Sequence, residues 1–560
     1  MILIPALPAH GGARRSSTPI RIALGAILAG CTAPLAAPAV TTAAPGVAFD
    51  KHEIVTGAAG HQSVLHGFFL GGDAADLAVA SVEPNGDRRL RIYAWRDGAW
   101  TEALDTKLRP EVLFVDIAPI GGHDRLLTHE SGRLSWFDIE SAAERPLVAV
   151  TSRFNPPVAG IRRVDVSRDL NGDGRDDLIV PDDEGSQVFI QGSDGVFADP
   201  MRLGPPPPFL DAVPHGGTLS YRAMGWTALT NPWNQARVHE MDHDGDGRGD
   251  LVFWNQGRFD AHRQNEQGRF EPVAGTFTTG VPFESDGRHS LIFRRERTAT
   301  VLHSFEDVND DGISDLVTFS LMGDSVLSQR SAYEVHFGAR GSGGGIAFPR
   351  APHTAIRSDG LQVGMQRHDL DGDKRPDVIL TSVDLGIFGI IGGLMTRSMS
   401  FELEFYIMRD GVYPDAPDIV RKVKADFGGG KDHPHAELGG AFFPTVLIGE
   451  VNGDGRPDLL VGRWRKPLNV FPGVPGPDLF ARKPVEVAVS MPGDKNDDRE
   501  LRIYTHGDGP WVPVLEENYT WLVDLDRDGR DDVLLHHPSA SEPHRLTVLM
   551  ATDRKSDRAP

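Results

Sequence analysis

Residues 169–178 read DLNGDGRDDL, and close copies of these ten residues return five more times in a chain of 560 residues. Successive copies begin 62 to 81 residues apart. A motif repeated at such a period indicates an array of similar units, and this spacing leaves room for one four-stranded antiparallel unit with its loops. The other copies are DHDGDGRGDL from Asp242, DVNDDGISDL from Asp307, DLDGDKRPDV from Asp369, EVNGDGRPDL from Glu450 and DLDRDGRDDV from Asp524.

Four positions of each copy carry side-chain oxygens: the first, third, fifth and ninth. A hard cation such as Ca²⁺ takes roughly six to eight oxygen ligands, and glycine at the sixth position allows a sharp turn around it. We therefore predict about six structural calcium ions, one in each loop. The predicted ligands are Asp169, Asn171, Asp173 and Asp177; Asp242, Asp244, Asp246 and Asp250; Asp307, Asn309, Asp311 and Asp315; Asp369, Asp371, Asp373 and Asp377; Glu450, Asn452, Asp454 and Asp458; and Asp524, Asp526, Asp528 and Asp532.

The twelfth position distinguishes two kinds of calcium loop. An EF-hand needs a bidentate glutamate there, and no copy has one. Apolar and β-branched runs follow the ninth residue instead, and β-like stretches precede each loop. The loops are therefore predicted to join two antiparallel strands, where an EF-hand would join two helices. The twelfth residues are Val180, Phe253, Thr318, Leu380, Val461 and Leu535.

This strand–DxDxDGxxD–strand unit resembles the FG-GAP/VCBS repeat, the propeller module that also occurs in integrin α-subunits. The resemblance covers roughly residues 48–550. It implies an all-β fold, a β-propeller of four-stranded antiparallel blades with structural calcium. A recurrent Gly-x-aromatic triplet agrees with it, because glycine supplies a turn and the ring is expected to pack between neighbouring blades. The triplets begin at Gly98, Gly195, Gly268, Gly411 and Gly509.

Two further segments, 67–80 and 115–129, keep a strand, a turn and a strand but lack the acidic triad. Counting them predicts eight blades, with seven as the alternative. The segment 46–55 resembles 194–200, a predicted outer strand. We therefore expect the N-terminal strand to complete the last blade and close the ring, which would leave no exposed sheet edge.

Two loops depart from the pattern and are expected to bind the ion more weakly. Lys374 replaces the glycine of the sixth position, where its side chain disfavours a positive φ and its charge opposes a cation. Glu450 replaces the first aspartate and is one carbon longer.

The N-terminal segment predicts export. Arginines precede a short apolar run at 22–30, and Leu28-Ala29-Gly30-Cys31 resembles the lipobox of bacterial lipoproteins. The resemblance implies a signal peptide at 1–30 and a lipidated Cys31. It also implies an outer-membrane location, because Thr32 and not aspartate follows the cysteine. The rest of the predicted organisation is a flexible tether within 31–45, the propeller at 46–550 and a disordered tail at 551–560.

Composition limits the partners. The net charge of −22 argues against a nucleic acid, and the membrane is expected to be reached through the lipid anchor alone. A single cysteine excludes an intramolecular disulfide, and we expect a monomer. Four predicted insertions, 204–237, 321–350, 384–416 and 462–512, are expected on one rim, where they would hold a protein or a glycan.

Motifs for catalysis are weak. Gly428-Gly429-Gly430-Lys431 lacks the Ser or Thr of a phosphate-binding loop, and His433 and His435 are an isolated pair. The main hypothesis is therefore a binding or adhesion scaffold at the cell envelope and not an enzyme. The alternatives are a propeller enzyme, a lyase or hydrolase acting on polysaccharide at its central funnel, and a subunit of an envelope assembly.

Overall fold

The computed structural model of the protein consists of strands and their connections in all the residues that it describes, which confirms the all-β class. Within these residues no helix is long and apolar enough to cross a membrane. The described residues are 46–57, 62–151, 161–182, 184–205, 238–283, 298–322, 330–341, 344–359, 361–383, 398–426, 445–463, 466–489, 503–504, 512–513, 520–537 and 543–552.

Eight antiparallel sheets of four strands follow one another around a ring. The chain is an eight-bladed β-propeller. The larger of the two predicted blade counts is confirmed, and the two segments without acidic triads are the first half of blades 1 and 2. The second strand of a blade is packed on both faces, which is why its sequence, such as DLAVASV at Asp76–Val82, is a continuous apolar run.

The first strand of the chain, β1 (Phe49–Gly57), belongs to the last blade. Blades 1 to 4 then follow in chain order. Their strands are, for blade 1, β2 (Gln62–Gly67), β3 (Asp76–Val82), β4 (Arg88–Arg96) and β5 (Ala99–Lys107); for blade 2, β6 (Phe114–Ile120), β7 (His123–Glu130), β8 (Arg133–Asp138) and β9 (Ala143–Ala149), with β10 (Arg162–Arg163) parallel to β6; for blade 3, β11 (Ser167–Arg168), β12 (Asp177–Asp182), β13 (Gly185–Phe189) and β14 (Met201–Leu203); and for blade 4, β15 (Val238–Met241), β16 (Asp250–Asn255), β17 (Arg258–His262) and β18 (Gly275–Phe277).

Blades 5 to 8 complete the ring, and two small hairpins lie outside the four-stranded sheets. Their strands are, for blade 5, β19 (Thr298–Glu306), β20 (Asp315–Met322), β21 (Arg330–His336) and β24 (Thr354–Asp359), with the hairpin β22 (Ala339–Arg340) and β23 (Ile346–Ala347); for blade 6, β25 (Leu361–His368), β26 (Asp377–Val383), β27 (Ser398–Tyr406) and β28 (Ile419–Asp426); for blade 7, β29 (Thr445–Gly449), β30 (Asp458–Gly462), β31 (Leu468–Phe471) and β32 (Val485–Val487), followed by the hairpin β33 (Ile503–Tyr504) and β34 (Val512–Pro513); and for blade 8, β35 (Thr520–Val523), β36 (Asp532–His537) and β37 (His544–Ala551).

The ring is closed by β1, which pairs antiparallel with β37 as the fourth strand of blade 8. The register runs from Phe49 opposite Ala551 to Ile54 opposite Leu546, and a bulge follows between Val55 and Gly57. This confirms the predicted closure by the N-terminal strand. The first strands of neighbouring blades contact one another, as β2 does with β6 and β15 with β19, and they line the ring axis.

The hydrophobic core lies between the blades. Every pair of neighbouring blades shares an apolar cluster among the described residues; blades 8 and 1, for example, share one that includes Leu525 and Leu77. Trp100 joins the same cluster and is 8% exposed. Phe270 and Tyr413 occupy the corresponding place in blades 4 and 6. The predicted packing of these aromatic rings between blades is confirmed for the three; Trp511 lies outside the described residues.

The two faces of the ring differ. In an antiparallel meander the turns after the first and third strands lie at one end, here called the acidic-loop face because it carries the six acidic copies. The remaining connections begin and end at the opposite face. The longest of them in sequence join described strands there, for example 206–237 between β14 and β15 and 427–444 between β28 and β29.

Three of the four predicted insertions were drawn too long. The range 321–350 contains β21, 384–416 contains β27, and 462–512 contains β31 and β32. The acidic motif marks only the first turn of each blade, and no recurrent motif marks where the third strand begins.

Candidate metal centres

The six acidic loops occupy the same place in blades 3 to 8. Each leaves the first strand and ends where the second strand begins, so that the ninth residue is the first of the second strand, as Asp177 is for β12 and Asp532 for β36. The flanking strands pair antiparallel in every case. The predicted strand–loop–strand arrangement is confirmed.

The carboxylate at the first position holds the loop together. Asp169 Oδ1 accepts hydrogen bonds from the amides of Gly172 at 2.8 Å and Asp173 at 3.1 Å, and Oδ2 accepts one from Gly174 at 2.8 Å. Each carboxylate oxygen has two lone pairs, so these bonds leave capacity for a cation. The same pattern surrounds Asp242, Asp307, Asp369 and Asp524.

Two positions of each loop, the fourth and the sixth, take a left-handed backbone, with φ of 75° at Gly172 and 83° at Gly174 in the first copy. The loop with Lys374 forms the same turn although a lysine disfavours a positive φ, and its weaker binding stays a prediction. Lys374 has a φ of 71°, and its amide donates to Asp369 Oδ2 at 2.9 Å. The sequence argument considered only the sixth position, although Arg527, at the fourth position of its copy, also has a φ of 60°.

Glu450 takes the role of the first aspartate despite its longer side chain. Its Oε1 accepts hydrogen bonds from the amides of Asn452 at 2.9 Å and Gly453 at 2.6 Å, and its Oε2 accepts one from Gly455. Glu450 therefore keeps the bonds to the fourth and sixth amides, but it accepts the third amide where the first aspartate of the blade 3 loop accepts the fifth.

The ninth carboxylate has a structural role that the sequence argument missed. Asp177 is fully buried; its Oδ2 accepts the amide of Leu170 at 3.2 Å and its Oδ1 the amide of Gln191, beyond the third strand, at 2.8 Å. Asp76 of blade 1 is buried in the same place and accepts the amide of Leu70 at 2.8 Å, although its loop has no acidic triad. The ninth aspartate thus ties the loop to the blade with or without an ion. The ninth aspartates of the other loops accept the corresponding two amides; they are Asp250, Asp315, Asp377, Asp458 and Asp532.

Burial also changes the protonation of these groups. An anion is poorly solvated in the interior, so burial raises the pKa of Asp177 to about 7 and that of Asp250 to about 6; the nearby loop carboxylates add to the rise, and the amides oppose it. The ninth position is therefore where a proton and a cation would compete. Burial likewise raises the pKa to about 6 at Asp315 and to about 7 at Asp377, Asp458 and Asp532.

The predicted ligands of all six loops are oxygen donors, and in three of the loops the structure brings three carboxylates together. In three loops, three carboxylate oxygens lie within 4.8 Å of one another, and all the donors are the hard oxygens that Ca²⁺ prefers. In the Glu450 loop, the side chain of Asp454 is 6% exposed and its Oδ2 has no hydrogen-bond partner. The three close sets are Asp242, Asp244 and Asp246; Asp369, Asp371 and Asp377; and Asp524, Asp526 and Asp532.

Neighbouring blades are connected through these loops. Gln264 of blade 4 donates from Nε2 to the backbone oxygen of Asn171 in the blade 3 loop at 2.6 Å. The amide of Glu450 donates to Asp531 of blade 8 at 2.9 Å. The acidic loops of blades 3 and 7 are thus part of a blade–blade contact as well as of their own sheets.

Charged residues of different blades also meet near the ring axis, where a propeller enzyme would bring acids and histidines together. The acids there are paired with arginines, and burial lowers the pKa of the inner histidines His66 and His303 to about 4 and about 3, so both are uncharged at neutral pH. The ion pairs are Arg163–Asp116 at 3.0 Å, Arg168–Glu240 at 3.0 Å, and Arg367–Glu306.

Several predicted features lie outside the described residues. They are the signal peptide with Cys31, the tether before residue 46, and the pair His433 and His435. The tryptophans of the first predicted insertion, Trp226 and Trp233, also lie outside them.

No family model and no curated protein matches the chain. Among solved structures it is similar to an Agrocybe aegerita lectin that recognises non-reducing terminal N-acetylglucosamine (14% identity, TM-score 0.31, 66% of this chain and 80% of the lectin). It is also similar to the Vibrio cholerae biofilm matrix protein Bap1 (10% identity, TM-score 0.29, 89% and 88%) and to a Photorhabdus luminescens Tc holotoxin pore (15% identity, TM-score 0.27, 73% of this chain). The chain spans only 16% of that toxin chain. TM-scores this low carry no argument about what this chain does.

Proposed function

We propose that the protein is a calcium-stabilised β-propeller of the FG-GAP/VCBS type that serves as a binding or adhesion scaffold for a protein or glycan at the cell envelope. In this proposal the ions bind on the acidic-loop face and are structural. The partner binds on the opposite face.

One observation carries the metal part of the proposal: six consecutive blades hold a first carboxylate wrapped by loop amides above a buried ninth carboxylate. Carboxylates gathered in this way repel one another and are poorly solvated. A divalent cation relieves both costs and joins the turn to the second strand. Asp169, Asn171, Asp173 and Asp177, with their counterparts in the other five loops, would hold it.

Thermal unfolding tests this part. Purified residues 32–560 are heated in calcium, in excess chelator, and in magnesium at the same concentration as a control. Occupation of one site at 100 times its dissociation constant stabilises by roughly 2.7 kcal/mol, so several sites should raise the Tm by many degrees. Equal Tm values in calcium and chelator would refute the metal sites.

The binding part is supported by the division of the ring into two faces. The acidic loops occupy one face, and the longest connections leave from the other. We expect a glycan array or a pull-down from envelope extract to yield a partner that the double variant Trp226→Ala/Trp233→Ala loses. Val196→Ala, at an exposed residue of the acidic-loop face, is the matched control and should keep the partner.

The two alternatives predict other results from the same samples. A propeller enzyme would shorten polysaccharides of the array, and an assembly subunit would copurify with a second chain at a size above that of a monomer. Binding without product, to a monomer, favours the scaffold.

The proposed location depends on Cys31. We propose that the chain is exported and anchored to the outer membrane through a lipid on this residue, because the only cysteine lies at the end of the lipobox-like sequence. Cys31→Ser should move the protein from the membrane fraction to the soluble fraction. An unchanged distribution would refute the anchor.

A further inference from the structure

The acidic loop of blade 4 is contacted by the next blade in a specific way. Between its third and fourth strands blade 5 carries the hairpin β22–β23, and Arg340 on this hairpin reaches back to blade 4. Arg340 Nη1 donates to the backbone oxygen of Asp242 at 2.8 Å, and Nη2 donates to Asp242 Oδ2 at 2.7 Å. The hairpin also lies close over the loop, since a Cβ at Gly345 would be 3.2 Å from the His243 ring.

Two more arginines complete the surroundings of this loop. Arg263 Nε lies 3.5 Å from Asp244 Oδ2, and Arg248 pairs with Asp246. The first, third and fifth carboxylates of the blade 4 loop therefore each have an arginine of their own.

The other loops differ at the first position. Within the described residues, the first aspartates of the loops in blades 3, 5, 6 and 8 accept hydrogen bonds from amides of their own loops, and none of the four forms an ion pair with an arginine. The blade 5 loop has Ile313 at the position of Arg248. These first aspartates are Asp169, Asp307, Asp369 and Asp524.

We infer that Arg340, together with Arg263 and Arg248, serves as the built-in cation of the blade 4 loop, which is held closed without a metal and binds calcium more weakly than the loop at Asp307. The calcium part of this inference rests on the proposed function, whereas the role of Arg340 in the metal-free protein does not. The loops of blades 3 and 8 also pair an arginine with the fifth carboxylate. A guanidinium next to the first carboxylate, however, provides a neutralisation that the first aspartates of blades 3, 5, 6 and 8 lack, and it repels an entering divalent ion.

The geometry shows what a calcium ion would have to change. Asp244 Oδ1 is buried without a hydrogen-bond partner and is free to bind an ion. Asp242 Oδ2, by contrast, is already shared between Arg340 and the amide of Gly247. Entry of the ion therefore competes with Arg340 for one oxygen.

The experiment compares Arg340→Gln with Arg357→Gln in the full chain. Arg357 lies in the same blade on β24 and pairs with Glu334 at 3.4 Å, so its loss removes one arginine without touching a loop. In chelator, Arg340→Gln should lower the Tm by several degrees and Arg357→Gln should not. On calcium titration by calorimetry, Arg340→Gln should tighten one site by about tenfold and recover the lost stability.

A second variant assigns the effect to the loop. The gain in affinity should vanish when Arg340→Gln is combined with Asp246→Asn, and Arg340→Lys, which keeps the charge, should retain most of the stability in chelator. Equal Tm values of wild type, Arg340→Gln and Arg357→Gln in chelator would overturn the inference. If Arg340→Gln has a lower Tm than wild type in chelator but does not bind calcium more tightly, the inference that the blade 4 loop binds calcium weakly is overturned. If wild type itself takes up no calcium, the proposed function fails, while the comparison in chelator still decides the role of Arg340.

Discussion

The carboxylates of the acidic loops hold the turn in shape and are also the predicted ligands. The first carboxylate gathers the loop amides, and the ninth ties the loop to the second and third strands of its blade. Because both roles use the backbone, the same residues are needed whether or not an ion is present. Blade 1 agrees with this, since Asp76 is buried and bonded in the same way in a loop that has no acid at the first, third or fifth position.

Asp76→Ala tests the structural role alone. It leaves the amide of Leu70 and its other backbone donors without an acceptor in a buried site. Each such group costs about 1–3 kcal/mol, so we expect the free energy of unfolding to fall by about 2–4 kcal/mol. Because the loop of Asp76 has no triad, denaturant unfolding should give the same loss in calcium and in chelator. A loss that appears only in calcium would contradict this role.

The raised pKa of the ninth carboxyls predicts a pH dependence with a definite sign. In the metal-free folded chain Asp177 and Asp250 titrate near pH 7 and 6, whereas in the unfolded chain they titrate near their usual value of about 4. Between these values the folded state binds more protons than the unfolded state, so stability without calcium falls as the pH rises from about 5 to about 8.

Calcium would displace the protons of the ninth carboxyls, so the stabilisation that it provides should also depend on pH. The Tm difference between calcium-loaded and calcium-free protein should be larger at about pH 8 than at about pH 5.5. Calorimetry in two buffers of different ionisation enthalpy should show proton release on binding at about pH 5.5 and much less of it at about pH 8. A difference in Tm that shrinks as the pH rises would be the opposite result.

At the scale of strands and turns, the sequence predicted what lies close together in the chain. The acidic loops and their flanking strands were readable because all four ligand positions fall within ten residues. The third strands could not be predicted in this way, since strands such as β27 and β31 carry no recurrent motif. Arg340 was also missed because it is 98 residues from Asp242, and only the ring brings blade 5 over the blade 4 loop.

The aromatic residue after the third strand offers a test of contacts between blades. Trp100 lies in the cluster shared by blades 8 and 1, and its ring centroid is 5.4 Å from that of His52 on β1 of blade 8. Within blade 1 its Nε1 donates to the backbone oxygen of Ala75 at 3.0 Å. Trp100→Ala should lower the free energy of unfolding by about 3–5 kcal/mol, as for other large buried aromatics. The control Val196→Ala, at a side chain 64% exposed, should stay within about 0.5 kcal/mol of wild type.

On the scale of the whole molecule, the ring is held by interblade clusters, by loop contacts and by one pair of strands distant in sequence. The acidic loops contribute to this closure, since the amide of Glu450 is bound by Asp531 of the next blade. The sequence predicted the closure because the segment 46–55 had the form of an outer strand without a blade of its own. The order of the blades followed from the repeat.

Removal of residues 46–57 should open the ring. Without β1, the edge of β37 is exposed to other chains, and Ile54, which is 6% exposed, is lost from the cluster of blades 8 and 1. A chain that begins at residue 58 should unfold many degrees below one that begins at residue 46, and light scattering should detect oligomers. A synthetic peptide of residues 46–57 should restore the monomer; a shortened chain as stable as the parent would contradict the strand's role.

The pairing of β1 with β37 also determines when the fold can be completed in the cell. A ribosome makes β1 before any blade and β37 only after seven whole blades, so the two partners coexist on a nascent chain only after every other blade has been made. Every shorter nascent chain carries β1 as an unused strand and lacks its site in blade 8. Closure of the ring therefore joins the first of its strands to be made with the last. A protease that trimmed the N-terminal segment before that moment would leave a propeller unable to close.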